Sequence, residues 1–509
     1  MLLHTKFLQM AKIQGKKTAV IDTATGKTYT YDLMLIASLI LKGRFDRIEG
    51  KYLGIMLPTS AGCHLGVIAT LMSGKIPVMI NYSTGAIENS IYAQEKCGFE
   101  TIITSKKLLE KLRLEPLPEM IYIEDILEKV SKIEKVIAAL HSKLPYKILK
   151  NYIHKGDPDE PSVILFTSGS EKDPKAVQLT HNNIWHNVRE LPDFVGMAKD
   201  EIFAGTLPLF HVFGITATFW LPLLMGTTVV TFANPLDYKL IVDKIRELKI
   251  TVMIGTPTFF AGYLKKCSPG DFDSIHIAVT GADKLNDKLR LTYLEDHGIK
   301  VLEGYGATET SPVVSLNTFE NYRPGSIGKP IPGVQVKIVD TNTGEEVPRG
   351  EEGKILVKGE MVMMGYLGDL EQTTLHIRNG WYDTGDMGVH DEEGFMWHKG
   401  RLKRFVKVGG EMVSLVRTEE ILTKLLPDDV YCCVVDVPNP TKGADVVAAI
   451  ANGNFDQKEV LHQLKKLLPA IAVPKEFYVV DDLPLMGSGK VNFREVEQIC
   501  RKLRKQKKK

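Results

Sequence analysis

At residues 163–177 an apolar run, VILF, breaks into TSGSEKDPK, a Thr/Ser/Gly-rich stretch that closes on a lysine. A glycine at 169 permits the tight turn in which successive backbone N–H groups converge on an anion. Thr167, Ser168 and Ser170 add hydroxyl donors, and Lys175 adds a point charge for the outer phosphates. The chemistry that suits this set is the cradling of a polyphosphate. The alternative is a polar turn after a strand, because Ser/Gly loops beside a lysine are common. The spacing is not that of a Walker loop, and the later GSGK ending at Lys490 has Pro484 where that motif needs its first glycine.

Three distant segments add to this one: EGYGATET at 303–310, YDTGDMG at 382–388 and GRLKRFVKVGGEMVS at 400–414. In this order and at these separations they resemble the adenylate-forming superfamily of acyl- and aryl-CoA synthetases, adenylation domains and luciferases, over nearly the whole chain. GRLKRFVKVGGEMVSL and the late LPLMGSGKVNF look like the synthetase half of bacterial acyl-[acyl carrier protein] synthetase/2-acylglycerophosphoethanolamine acyltransferase.

The resemblance implies a ligase. ATP and a fatty acid would give an acyl-adenylate, and the acyl group would pass to the phosphopantetheine thiol of acyl carrier protein. Free CoA is the alternative acceptor. A nucleotide-binding but catalytically degenerate protein is the alternative of another class. Joining two anions is a problem of positioning and of cations and N–H donors placed where charge builds. By resemblance, Thr167, Ser168, Gly169, Ser170 and Lys175 hold the β- and γ-phosphates. Thr308 meets the α-phosphate, and Glu309 offers a carboxylate to Mg²⁺. Glu303, Gly304, Tyr305 and Gly306 line the nucleoside pocket, with Tyr305 as the stacking face and Gly281, Ala282 and Asp283 as the other wall. Asp386 accepts the ribose hydroxyls with Arg401 beside it. His211 lies next to the carboxylate, and Phe213, Ile215, Phe219, Trp220, Phe259 and Phe260 are candidates for an acyl tunnel. Lys490 is the catalytic ammonium, Lys403 the hinge, and Gly409 and Gly410 the approach for the thiol arm. Each also has a plain reading: helix cap, core aromatic, turn aspartate, buried histidine or surface lysine.

Two positions depart from the superfamily pattern. Lys172 and Ala176 stand where glycines are usual, and Lys172 puts a side chain into a loop that favours positive φ. A third activity, acyl transfer to a lysophospholipid, would need a histidine and aspartate spaced as His154 and Asp159 are. That pair falls in a Pro/Asp linker, and the separate acyltransferase domain is missing.

The elements that must position these residues read as α/β. Strand and helix alternate early: DTATGKTYTY as a hairpin around Gly26, YDLMLIASLILKG as a helix, KYLGIML as a strand, a helix capped by Thr59 or Ser60, then KIPVMI and TIITS as strands. Such units imply parallel sheets covered on both faces, with ligands at the carboxyl ends of the strands. After Gly325 the texture becomes β-rich with Gly/Pro turns. Beyond Arg404 a smaller α/β unit follows. The expected architecture is a large N-terminal domain of helix-covered parallel sheets plus a small β-rich subdomain, spanning 1–402, and a small mobile α/β C-terminal domain, 403–509. The lysine-rich stretch around 128–150 reads as a solvated helix and loop.

The 509 residues, 44% hydrophobic and 25% charged, suit a globular chain of more than one domain. Net charge is +2, but seven of the 64 basic residues lie in RKLRKQKKK at 501–509, leaving the rest at a formal −5. No basic face spreads over a domain, which excludes a nucleic-acid partner. The tail reads as a frayed helix end, or as a contact for an anionic membrane surface. Six cysteines without C-x-x-C spacing fit a reducing cytoplasm and no structural zinc. The N-terminus carries no secretory signal pattern. Residues 202–236 contain no Asp, Glu, Lys or Arg, but Pro208, Pro222, Gly214, Gly226 and His211 break them into strand, turn, buried helix and strand. The protein is therefore expected in the cytoplasm, with the inner face of the cell membrane as the tail's candidate contact.

Overall fold

In the computed structural model, which describes residues 1–167, 174–408, 411–427, 430–439, 442–451, 455–486 and 490–507, the early strand–helix alternation becomes two sheets. The hairpin forms as read: Thr18–Asp22 pairs antiparallel with Lys27–Thr30, and Gly26 turns with φ 68°. Thr30 then caps the helix Tyr31–Phe45, its side chain accepting from the Leu33 N–H. Of the two candidate caps for the next helix, Ser60 is the one used, accepting from Cys63 N–H ahead of Ala61–Met72.

One sheet has nine strands, of which six neighbours run parallel: Thr18–Asp22, Thr228–Thr231, Ile202–Gly205, Val252–Gly255, Ile277–Thr280 and Val301–Gly306 in spatial order. The other has seven strands. Pro161–Phe166, Ile76–Met79, Tyr52–Ile55, Ile102–Thr104 and Met120–Tyr122 are parallel, and Ala176–Thr180 and Gly365–Tyr366 add antiparallel to one edge. Ile76–Met79, Thr228–Thr231, Val252–Gly255 and Ile277–Thr280 are buried at every residue, as strands covered on both faces must be.

The uncharged stretch resolves into Ile202–Gly205, a π-helical segment Gly214–Trp220 running into Leu221–Met225, and Thr228–Thr231. Gly214 is obligatory there, because a Cβ would lie 2.1 Å from the Pro208 carbonyl oxygen. Among the described residues no helix is long and apolar enough to cross a membrane.

The chain divides into two units. The second comprises Val336–Leu356 and Asp383–Lys509 among its described parts, and the first holds the two large sheets. Within the second unit residues 386–390, the later part of the strand Trp381–His390, pair antiparallel with Met396–Arg401, and Phe405–Val408 with Glu411–Ser414. Tyr431–Asn439, Gly443–Ala451 and Glu476–Val480 form a three-stranded sheet, with the helix Gln457–Leu467 where its amphipathic pattern predicts one. The basic tail is not frayed through Lys507. It belongs to the helix Phe493–Lys507, which buries Val496 and Cys500, and Arg504 pairs with Asp445 and Glu476. All six cysteines are free.

Candidate functional site

In the first unit the ends of the Ser/Gly loop are fixed by two reciprocal bonds. Thr167 N–H donates to the Lys175 carbonyl at 3.0 Å, and Lys175 N–H donates to Thr167 Oγ1 at 3.1 Å. They continue the antiparallel ladder in which Phe166 faces Ala176. Ser168, Gly169, Ser170 and Lys172 lie outside the described residues. Ala176 is a fully buried strand residue, so the usual glycine is not needed there.

The Lys175 ammonium donates to Gln372 Oε1 at 2.8 Å, lies 3.3 Å from His376 Nε2, and stands 5.0 Å over the Tyr366 ring. The Tyr366 hydroxyl donates to Glu309 Oε1 at 2.9 Å. The phosphate-loop lysine and the candidate metal carboxylate are thus gathered around one tyrosine. Tyr382 closes the group: burial first, then the charges of Glu309, Tyr366 and Tyr305, push its phenol well above the ordinary range. Glu309 is held by its own backbone, whose carbonyl accepts from Met363 N–H at 2.8 Å. Thr308 opens the short 3₁₀ turn Thr308–Thr310, which is tied by Ala307 N–H donating to Thr310 Oγ1.

Tyr366, Gln372 and His376 were not singled out from the sequence. Their segment, GYLGDLEQTTLH, has no phosphate-binding spacing. The signal that was there is the short GY run, which forms Gly365–Tyr366 and pairs with Ala176–Thr180, so that Tyr366 faces Val177.

Sheet register brings the two halves of the expected nucleoside pocket together. Ile277–Thr280 and Val301–Gly306 are parallel neighbours with Thr280 opposite Glu303. Gly281 follows one and Gly304 lies in the other, and a Cβ on Gly281 would be 3.4 Å from the Gly304 carbonyl oxygen and 3.7 Å from the Phe213 ring. Ala282 has φ 71°, and Asp283 is exposed, its Oδ1 accepting from Lys284 N–H. Tyr305 is half-buried opposite Ser315. Gly306 lets the backbone pass Pro312, whose carbonyl oxygen would be 2.0 Å from a Cβ. Glu303 is placed differently from a pocket-lining side chain: it is buried, accepts from Gly325 N–H at 2.9 Å and lies 3.7 Å from Arg290. Burial raises its carboxyl to about 7.

His211 sits in the turn before the π-helical segment, its Nδ1 accepting from Phe213 N–H at 3.3 Å. Phe213 reaches the Gly281 wall, so His211 stands two residues from it. Ile215, Phe219, Trp220, Phe259 and Phe260 are fully buried core. Phe260 packs edge-on against Tyr293, and Phe219 packs on His64, whose pKa burial lowers to about 3. His154 and Asp159 do not converge: His154 lies 3.5 Å from Glu160, and Asp159 accepts from Asn182.

In the second unit Asp386 and Arg401 are directly opposite in the antiparallel ladder, with Arg401 Nε 3.2 Å and His398 Nε2 3.7 Å from Asp386 Oδ1. Asp386 is buried at its strand position, while the Arg401 side chain is largely exposed. The preceding turn is fixed by Gly385 N–H donating to Asp383, itself 2.6 Å from Lys354. Lys403 lies in the short turn Leu402–Arg404, and its side chain is outside the described residues, as are Gly409 and Gly410. Lys490 closes a loop whose base is the Leu485–Val491 bridge, its carbonyl accepting from Met486 N–H at 2.7 Å; Gly487 and Gly489 are outside the described residues.

Among the described residues no three His, Cys, Asp or Glu side chains could hold an ion by themselves. One carboxylate at Glu309 fits an ion whose other ligands are water and phosphate oxygens, which is how magnesium is usually held.

Residues 7–367 match the AMP-binding enzyme family, and residues 418–490 match the C-terminal domain of AMP-binding enzymes. The chain belongs to the AMP-binding enzyme family and is a ligase of that family. Among its relatives, a long-chain-fatty-acid–CoA ligase of Escherichia coli O6:H1 is 26% identical over 89% of this chain and 86% of that protein. One of Bacillus subtilis is 33% identical over 67% of this chain and 62% of that protein. Among solved structures, ATP-bound MatB from Rhodopseudomonas palustris shares the fold with a TM-score of 0.84 at 24% identity, covering 98% of this chain and 99% of that one.

Proposed function

We propose that this protein activates a fatty acid as its acyl-adenylate at the expense of ATP and then forms an acyl thioester on CoA. The observation that carries the reading is the gathering of Lys175 and Glu309 around Tyr366. A cation and a carboxylate held side by side suit a nucleotide that arrives with its metal: Lys175 for the outer phosphates, Glu309 for Mg²⁺. When bound, Mg²⁺ neutralises phosphate charge. Thr167, with Ser168, Gly169 and Ser170, completes the phosphate contacts, and Thr308 meets the α-phosphate. Tyr305 stacks on adenine, with Gly281, Ala282 and Gly304 allowing close approach. Asp386 accepts from the ribose hydroxyls, and Arg401, opposite it in the ladder, positions its carboxylate. His211 orients the acid. Lys490 donates to the oxygens on which charge builds as the carboxylate attacks the α-phosphorus and pyrophosphate leaves. We take 1–402 and 403–509 as the two functional domains, with Lys403 as hinge.

The fatty acid and CoA are supported by the names of the relatives, which include several long-chain-fatty-acid–CoA ligases. Acyl carrier protein, the acceptor suggested by the likeness of the 400–415 and 483–493 segments, offers the same thiol arm and is the second reading. The deciding experiment is thioester formation from ATP, Mg²⁺ and a panel of fatty acids, with CoA and holo-acyl carrier protein in parallel. Product on CoA is the expected result. Product on carrier protein alone transfers the assignment to the second reading, and nucleotide binding without AMP release from any acid overturns both.

A further inference from the structure

The helix Lys132–Lys143 is amphipathic, yet it turns its apolar side outward. Ile133, Val136, Ile137 and Leu140 recur at the spacing of a single stripe, and they are 72%, 58%, 46% and 65% exposed. Its opposite side, Ala138 and Ser142, is buried. That side is fastened to the first unit by polar contacts. Arg44, on the helix Tyr31–Phe45, donates to the Lys129 carbonyl at 2.8 Å and to Glu134 at 2.7 Å, and Lys12 donates to the Ser142 carbonyl at 2.7 Å. The helix is anchored, capped by a reciprocal Ser131–Glu134 pair, and presents aliphatic side chains to water. Ile148 and Tyr152, just beyond it, are also nearly half exposed.

Charge selects the occupant. Between residues 129 and 150 there are six lysines and one acid, and that acid is the Glu134 already paired with Arg44. A stripe of aliphatic side chains within a lysine-rich segment complements a surface that is negative above and apolar beneath. It is too narrow for a stable protein partner, since such interfaces use about 20 residues a side.

We propose that the helix Lys132–Lys143 is the surface by which this protein lies on an anionic lipid bilayer, its aliphatic stripe entering the headgroup boundary and the lysines of residues 129–150 meeting the headgroups. The inference is independent of which thiol the protein acylates. The basic tail is a poorer candidate, because Arg504 is committed to Asp445 and Glu476.

The test is co-sedimentation of the full chain with vesicles of phosphatidylglycerol mixed with phosphatidylcholine, against phosphatidylcholine alone, over a salt series. The native protein should bind the anionic vesicles and be released by salt. Ile133→Ser/Val136→Ser/Ile137→Ser/Leu140→Ser should bind about tenfold less or worse, with its melting temperature and AMP release unchanged. Should that variant fail to fold, Ile133→Ser alone, at the most exposed position, should still weaken binding. Lys132→Gln/Lys135→Gln should flatten the salt dependence. The proposal is overturned if native protein ignores anionic vesicles at low salt or the serine variant binds as tightly. It is equally overturned if Lys505→Gln/Lys507→Gln/Lys508→Gln/Lys509→Gln abolishes binding that the serine variant keeps. A native dimer that the serine variant makes monomeric would assign the stripe to a second copy instead.

Discussion

Tyr366 owes its importance to what its two ends touch: its ring lies under the Lys175 ammonium, and its hydroxyl donates to Glu309. A cation over an aromatic face and a hydrogen bond to a carboxylate each hold one charge in place without cancelling it. Removing only the hydroxyl tests the second contact. A hydrogen bond to a charged group contributes about 1.5–3 kcal/mol, so Tyr366→Phe should lower kcat/KM for ATP by about 10- to 100-fold. A role in setting Glu309 for the ion predicts more than a slower enzyme: the Mg²⁺ concentration giving half-maximal AMP release should rise, while the melting temperature stays put because the ring remains. An unchanged Mg²⁺ midpoint would make Tyr366 a packing residue only. The sequence could not rank this tyrosine above the other sixteen, because its partners Lys175 and Glu309 come from two distant segments, brought to it by the edge pairing of Gly365–Tyr366 with Ala176–Thr180 and by Met363 N–H donating to the Glu309 carbonyl.

At the scale of elements, the strand Val301–Gly306 does two jobs with alternate residues. Tyr305 and the glycines serve the candidate pocket, while Glu303 accepts from Gly325 N–H and ties the strand to the chain beyond Asn317. Burial keeps the folded Glu303 protonated up to about pH 7, against an ordinary carboxyl value of 4.5. Between those values the folded chain binds more protons than the unfolded one, so this group's contribution to stability falls as pH rises from about 4.5 to about 7 and levels off above. Glu303→Gln keeps an acceptor for Gly325 and removes the titration. The melting temperature of the variant minus that of the native chain should therefore be greater at pH 7.5 than at pH 5, by a few degrees for up to about 3 kcal/mol. A pH-independent difference would place the Glu303 carboxyl in its ordinary range. The elements themselves were legible wherever a local rule decides them: the Gly26 turn, a cap at Thr59 or Ser60, the alternation of Pro/Gly breakers through residues 202–236, and the apolar runs that became buried parallel strands. What was not legible was sidedness. Glu303 lies in a motif that resembles a pocket wall, yet tertiary contacts with Arg290 and Gly325 claim its side chain. Residues 128–150 read as a solvated helix, and the helix is there, but its aliphatic side faces water and its small residues face the protein, the reverse of what amphipathic periodicity alone suggests.

For the molecule as a whole, the candidate residues divide between the two units: Thr167, Lys175, His211, Thr308 and Glu309 belong to the first, and Asp386, Arg401 and Lys490 to the second. Two half-reactions need different charge partners. Adenylate formation accumulates negative charge on the α-phosphate and carboxylate oxygens and gains most from a delivered ammonium. Thiol attack on the finished adenylate expels AMP and does not need the same cation in the same place. Lys490 lies beyond Lys403 in the chain, so under the proposed hinge it would serve the first step and be withdrawn for the second by rotation about Lys403, a pivot inside the second unit rather than at its boundary. Lys490→Ala should slow fatty-acid-dependent exchange of pyrophosphate into ATP by about 100-fold or more. Thioester formation from chemically prepared acyl-adenylate should stay within a few-fold of native, because that step starts after the lysine has acted. Lys403→Pro, which restricts the backbone at the proposed hinge, should show the opposite split, with exchange retained and thioester formation slowed. If Lys490→Ala slows both steps alike, the lysine positions the nucleotide throughout, and the proposed rotation about Lys403 is refuted even though the protein remains a ligase.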